Sequence, residues 1–241
     1  MHGFRPYCLS IAGFDPSGGA GIIADTKVFE CLKTYGLGVV SALTYQNDAE
    51  FIGVRWCGFS EIKKQIMPLK NYPVKVVKIG LIESLDQLAQ TTDLLKNIFP
   101  GIFIIWDPII KASAGFGFHN DVSLPERIIE NIDLITPNFE EYTQLISNAK
   151  KDLHCAILLK GGHRKEKAGV DTLFYENKSF DIEGEPFKDK KDKHGTGCVL
   201  SSAIAAYVAK GEPLTSACTK AKLYVERFIK SNNTKLGYHY E

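Results

Sequence analysis

Six short runs of almost unbroken apolar residues, spaced by helix-length amphipathic stretches, constrain this chain more than any other feature. The runs cover residues 8–14, 39–45, 74–81, 102–106, 132–136 and 156–160. A strand with one wet face alternates apolar and polar residues, so continuous runs predict strands buried on both faces. Helices are predicted over 21–34, 61–69, 85–98 and 124–131. In the first of these Ile22, Val28, Phe29, Leu32 and Tyr35 fall on one helical stripe. Strand and helix in alternation predict an α/β fold, a mostly parallel sheet covered by helices on both sides. Segments 170–175 and 180–182 flank Asn177 and read as a small β-hairpin flap. No Pro/Ser-rich linker divides the chain, so 1–241 is read as a single domain.

Bulk properties exclude several classes. Lys and Arg number 29 against 28 Asp and Glu, a net charge of +1, which points away from nucleic acid and from anionic membrane surfaces. The apolar stretch near the N-terminus is interrupted by Asp15 and is too short for a signal peptide or a membrane span. Six cysteines without a CxxC pair fit reduced thiols in a cytoplasm. The histidines are scattered, with no HExxH and no Cys/His cluster, so zinc is not expected.

Ligands of open α/β sheets sit beyond the carboxyl ends of the strands. Glycine and polar residues gather at those predicted ends: 13–21 (GFDPSGGAG), Gln46-Asn47-Asp48, Gly80, Asp107-Pro108 with Lys111, Ser113 and Gly115, 136–141 (TPNFEE) and 160–163 (KGGH). A last segment, 194–210 (HGTGCVLSSAIAAYVAK), runs from a Gly195-Thr196-Gly197 turn into an apolar helix over 199–208. Such a turn leaves backbone N–H groups unpaired at the positive end of a helix dipole, a place for phosphate. Cys198 lies in the first turn, where that field is expected to lower a thiol pKa.

The other loop residues carry two readings each. Asp15 either accepts a hydrogen bond from a substrate hydroxyl or amine, or caps an Asx-turn. Gln46 offers a donor and an acceptor that match an aminopyrimidine edge, or is an exposed loop amide. Asn138 and Glu141, an NxxE set, either support magnesium through oxygens and waters or form a helix cap with an acidic first turn. Asp107 is a second carboxylate near that metal or another cap. Lys160 touches phosphate or simply ends a strand. The segment 188–193 (KDKKDK) reads as a mobile, solvated loop.

Taken in order, IAGFDPSGGAGIIAD, TYQN, KIGL, DP–K–S–G, TPNFEE, LLKGGH and KHGTGCVLSSAIAA span nearly the whole chain. The set resembles the hydroxymethylpyrimidine and phosphomethylpyrimidine kinases of thiamine biosynthesis, in the ribokinase superfamily. The resemblance implies a ribokinase-like three-layer αβα sandwich. It implies ATP- and Mg2+-dependent phosphorylation of 4-amino-5-hydroxymethyl-2-methylpyrimidine and then of its monophosphate, in a cytoplasmic homodimer. It places Gly13, Asp15, Ala20, Gln46, Gly80 and Ile109 about the substrate. Lys160, Gly162, Thr196 and Gly197 fall at ATP, and Asp107, Asn138 and Glu141 at the metal. Gly195, Thr196, Gly197, Cys198 and Lys160 become the catalytic group, with Cys198 as base where many ribokinase relatives have Asp. Two departures stand out. Phe14 replaces a residue that is more often small, and the stretch 136–160 has room for one helix where relatives fit a longer excursion.

A pyridoxal or pyridoxine kinase shares these motifs, and Gln46 alone argues for the pyrimidine. Residues 19–24 (GAGIIA) formally fit a dinucleotide-binding turn with Asp48 as ribose acid, but Pro16 spoils the tight turn and the anion hole is left unexplained. A sensor that binds without catalysis would not need Cys198, Lys160 and Glu141 together.

Overall fold

The computed structural model describes residues 3–109, 126–145, 154–162, 169–184 and 193–240. Its strands are β1 (Tyr7–Phe14), β2 (Tyr35–Gln46), β3 (Phe51–Trp56), β4 (Val74–Ile79), β5 (Phe103–Trp106), β6 (Leu134–Ile135), β7 (Ala156–Leu159), β8 (Asp171–Tyr175) and β9 (Lys178–Ile182). Its helices are α1 (Gly21–Cys31), α2 (Phe59–Ile66), α3 (Leu85–Ile98), α4 (Glu126–Asn131), α5 (Phe139–Leu145), α6 (Thr196–Ala209) and α7 (Leu214–Lys230).

The strands form one sheet in the order β3-β2-β1-β4-β5-β6-β7-β8-β9. Every pair from β2 through β1, β4, β5 and β6 to β7 is parallel, and these are the six predicted strands. Their carboxyl ends therefore share one edge, which collects the described parts of the six polar loops. The antiparallel β3 flanks one side, and the β8–β9 hairpin flanks the other.

Two apolar layers hold the sheet between helices. Leu9, Ile11, Val77 and Ile79 pack with Ile62, Ile66, Leu88 and Leu95 of α2 and α3. On the opposite face Cys8, Val76 and Ile105 pack with Val28 and Phe29 of α1, Val199 and Ala203 of α6, and Tyr224 and Phe228 of α7. Helix α6 is buried continuously from Cys198 to Ala206. A helix apolar all round is stable only in such a place.

Predicted boundaries hold best where a cap is written in the sequence. Helix α3 has the predicted limits, and the Gln87 N–H donates to the Ser84 hydroxyl at its N-cap (3.1 Å). The first helix ends three residues before the predicted Thr34. Lys33 turns left-handed (φ 58°), and the Thr34 side chain donates to the Phe29 carbonyl (3.0 Å). Tyr35 thus does not extend the helical stripe: it opens β2, half exposed, with its ring 5.0 Å from that of Tyr7. Strand β3 and helix α7 are further elements beyond the predicted set, and α5 is the helix found among the described residues of 136–160, with 146–153 lying outside them. Residues 124–125 of the fourth predicted helix, with Lys111, Ser113, Gly115, His163 and 188–192, lie outside the described residues. Lys193 is not solvated as expected of its charged run. It is buried, and its ammonium donates to Asn232 Oδ1 (2.6 Å) and to the Thr234 carbonyl.

Candidate active site

Gly195 adopts the left-handed conformation (φ 78°) that turns the chain into α6. A Cβ there would run into the Gly19 carbonyl, so this position needs glycine for both reasons. The first backbone bond into the helix runs from Val199 N to Gly195 O (2.9 Å). The N–H groups of Thr196, Gly197 and Cys198 precede it and make up the free first turn, as the sequence predicts for an anion hole. A Cβ built on Gly197 would stand 3.5 Å from Lys160 Nζ and 3.8 Å from Asp107 Oδ2. The bare turn, the ammonium and the carboxylate therefore border one space.

Asp107 follows β5 and is buried. Lys160 donates to its Oδ1 (2.9 Å), Thr136 donates to Oδ1 (3.0 Å), and Ser201 of α6 donates to Oδ2 (3.2 Å). Burial pushes this carboxyl up, but Lys160 and Lys78 overcome it and hold it below the usual range. Burial likewise pushes Lys160 down, and Asp107 and Glu141 more than restore its charge. Lys160 Nζ also lies 3.8 Å from Glu141 Oε2. Asn138 and Glu141 form a reciprocal cap of α5: Asn138 N donates to Glu141 Oε2 (2.7 Å), and Glu141 N donates to Asn138 Oδ1 (2.9 Å). Burial raises the Glu141 carboxyl to about 6, against the pull of Lys160. Its Oε1 has no hydrogen-bond partner among the described residues.

Cys198 departs from expectation. Its thiol is pushed up to about 11, not down: burial dominates, Lys78 opposes it, Asp25 and Asp107 add to it, and a hydrogen bond from the Gly21 N–H recovers little. The helix N-terminus is present, but desolvation of a wholly enclosed sulfur outweighs it.

Gly13 is the last residue but one of β1, and a Cβ on it would stand 3.1 Å from Leu81 and 3.4 Å from Thr44. Gly80 follows β4, and any side chain on it would crowd Lys78 Nζ (2.9 Å). Ala20 is the N-cap of α1. Gln46 ends β2, and its Nε2 donates to Thr44 Oγ1 (2.9 Å), leaving Oε1 as an acceptor among the described residues. Ile109 lies half-buried two residues beyond Asp107. Phe14 is exposed at the same edge. In the last loop Gly161 is the constrained glycine, its Cα against the Val170 backbone and its N–H donating to Asp171 Oδ1 (2.7 Å), while Gly162 faces open space. The carboxylate of Asp15 is turned inward. It accepts from Ser17 N and Oγ (both 2.9 Å), from Ala20 N (2.9 Å) and from His194 Nε2 (2.8 Å). This is the Asx-turn alternative of the two sequence readings.

Sequence reasoning missed four buried groups: Asp25, Lys78, Ser202 and His194. The Lys78 ammonium straddles both Asp25 oxygens (3.1 and 2.9 Å), which also accept from Ser10 (2.5 Å) and Ser202 (2.7 Å). Burial pushes Lys78 down, and Asp25 reverses the effect. The signal was present: Asp25 shares a helical stripe with Ile22 and Phe29, and Lys78 sits in phase with Val76 on a buried strand face. A charge at such a position must be paired.

An αβα sandwich with an open helix N-terminus, a lysine and buried carboxylates at the strand ends defines a ribokinase-like phosphotransferase. A family model for phosphomethylpyrimidine kinase matches residues 15–241, and the chain belongs to that family. The hydroxymethylpyrimidine/phosphomethylpyrimidine kinase of Aquifex aeolicus is 35% identical, over 97% of each chain. The crystal structure of phosphomethylpyrimidine kinase from Clostridium difficile 630 superposes with a TM-score of 0.74 at 30% identity, covering 92% of this chain and 99% of that one. Pyridoxal kinase from Staphylococcus aureus in complex with AMP-PCP shares the fold, with a TM-score of 0.77 at 22% identity, over 95% of this chain and 89% of that one.

Proposed function

We propose that the chain is a single kinase domain that phosphorylates 4-amino-5-hydroxymethyl-2-methylpyrimidine with ATP, and then phosphorylates the monophosphate. The observation that carries this is the free first turn of α6 facing Lys160 and Asp107 across Gly197. Phosphoryl transfer asks little covalent chemistry of a protein and much positioning and charge compensation. The N–H groups of Thr196, Gly197 and Cys198 receive the moving phosphoryl, and Lys160 offsets charge beside it. Thr196, Gly197, Lys160 and Gly162 form the ATP side. Gly13, Ala20, Gln46, Gly80 and Ile109 form the acceptor side, with Asp15 shaping the loop.

The donor set fits magnesium. Glu141 has an unused oxygen and a carboxyl at about 6 that a cation would draw down, and Asn138 holds its backbone in place. Among the described residues no group of three or more acidic, His or Cys side chains is gathered for a metal, so Glu141 with Asp107 beyond Lys160 would hold the ion together with waters and triphosphate. Its chemistry there is to offset triphosphate charge. Cys198 serves the first transfer as the proton acceptor. It does so as the thiolate, which is the minor form of a thiol pushed up to about 11, so the first transfer draws on that minor fraction. A cytoplasmic homodimer completes the reading; the six free thiols favour a reducing compartment.

Product analysis with each vitamer decides the substrate. Conversion of the pyrimidine to its pyrophosphate supports the reading, and ready formation of pyridoxal phosphate with no pyrimidine product overturns it. Gln46→Ala should weaken pyrimidine binding by roughly 1–3 kcal/mol and leave ATP affinity unchanged. Calorimetry showing no loss for the pyrimidine would place Gln46 outside the site.

A further inference from the structure

The acceptor loop 15–20 and the anion-hole turn 193–197 come from opposite ends of the chain, yet they meet at one side chain. We propose that His194 is a positioning residue that locks the two loops into one body and so sets the distance between acceptor and phosphoryl. The inference rests on the kinase reading above. His194 and Asp15 are both buried, with Nε2 2.8 Å from Asp15 Oδ2. Burial pushes the Asp15 carboxyl up, but hydrogen bonds from His194, Ser17 and Ala20 hold it below the usual carboxylate range. Asp15 is therefore an acceptor only, and Nε2–H donates. The same oxygen accepts from Ala20 N at the start of α1, and the other accepts from Ser17 N. One carboxylate thus ties the acceptor loop to itself and to His194.

Steric contact repeats the message. The His194 ring lies on Gly19, where a Cβ would stand 2.5 Å from Cδ2, and Gly195 presses on the Gly19 carbonyl. Behind the ring the chain is fixed as well. His194 N donates to the Lys235 carbonyl (2.9 Å), and Lys193 holds Asn232. Among the described residues the His194 side chain meets Asp15 and Gly19, neither of them placed on the phosphoryl. It acts through the loops, and in-line transfer is sensitive to their spacing: a displacement of about 1 Å costs on the order of 10²-fold.

The test compares His194→Leu and His194→Gln. Leucine keeps bulk and loses the bond, while the glutamine amide reaches about as far as Nε2 and can donate. Two rates and one constant are measured: pyrimidine phosphorylation, ATP hydrolysis without acceptor, and KM for ATP. In His194→Leu, phosphorylation should fall about 10²-fold, with KM for ATP and hydrolysis unchanged, and His194→Gln should recover most of the loss. Equal loss of phosphorylation and hydrolysis, or no loss, overturns the proposal. A wild-type protein without pyrimidine phosphorylation overturns the kinase reading instead. The lock is then judged by amide hydrogen exchange in His194→Gln and His194→Leu. Faster exchange of 17–21 and 196–199 together in the leucine variant supports it, and loosening of one segment alone overturns it.

Discussion

At Cys198 the proposed function puts two roles on one residue: its N–H in the anion hole and its sulfur, buried near Lys78 and the Gly21 N–H, as the base. Cys198→Ala keeps the first and deletes the second. Phosphorylation of the neutral alcohol should fall by ~10²–10⁴, and phosphorylation of the monophosphate, already an anionic acceptor, should fall much less. Equal losses in the two steps, assayed separately, would remove the sulfur from the chemistry. The pH dependence has a definite sign. The basic form is the thiolate, and the thiol is held near about 11. The first step should therefore keep rising with pH beyond the free-thiol value of ~8.5 and not level off below it. Stopped assays from neutral pH to 10, paired with the alanine variant, separate this rise from any other titration.

At the scale of elements the start of α6 is the most exacting junction. Gly195→Ala asks an L-residue to hold φ 78° and to share space with the Gly19 carbonyl. The left-handed conformation alone costs about 1–2 kcal/mol, which lowers the melting temperature by roughly 2–8 °C in a chain this size; the contact with Gly19 adds to it. A melting temperature equal to wild type would mean that the turn can relax. Much of this layout was legible in the sequence. The apolar runs marked all six parallel strands, because burial on both faces leaves no alternation to misread, and α3 has the limits its amphipathic stretch predicts. Strand β3 was illegible: at the sheet margin Gly53 and Arg55 interrupt its apolar residues, and Ile52 is exposed where a buried strand would hide it. In the site, Gly195–Cys198, Asp107 and Lys160 could be read because strand ends and glycine turns are visible in one dimension. The inward turn of Asp15 and the rise of the Cys198 pKa could not. Both depend on groups far along the chain, His194 in one case and the enclosing sheet in the other.

For the whole molecule, the pair Lys78–Asp25 marks where α1, α6 and the middle of the sheet converge. Lys78→Met leaves a buried carboxylate without its cation and should cost about 3–5 kcal/mol in denaturant unfolding. Adding Asp25→Asn removes the stranded charge while keeping hydrogen bonds to Ser10 and Ser202, so the double variant should recover part of that loss. A double variant weaker than the sum of the singles would show that the carboxylate serves something other than Lys78. The Asp15–His194 link, spanning 179 positions, also has a meaning in time. A ribosome adding about 5–20 residues per second finishes the acceptor loop some ~9–36 s before its counterpart is synthesised. Throughout that interval the nascent chain carries half a site, and catalytic competence waits until His194 has been made.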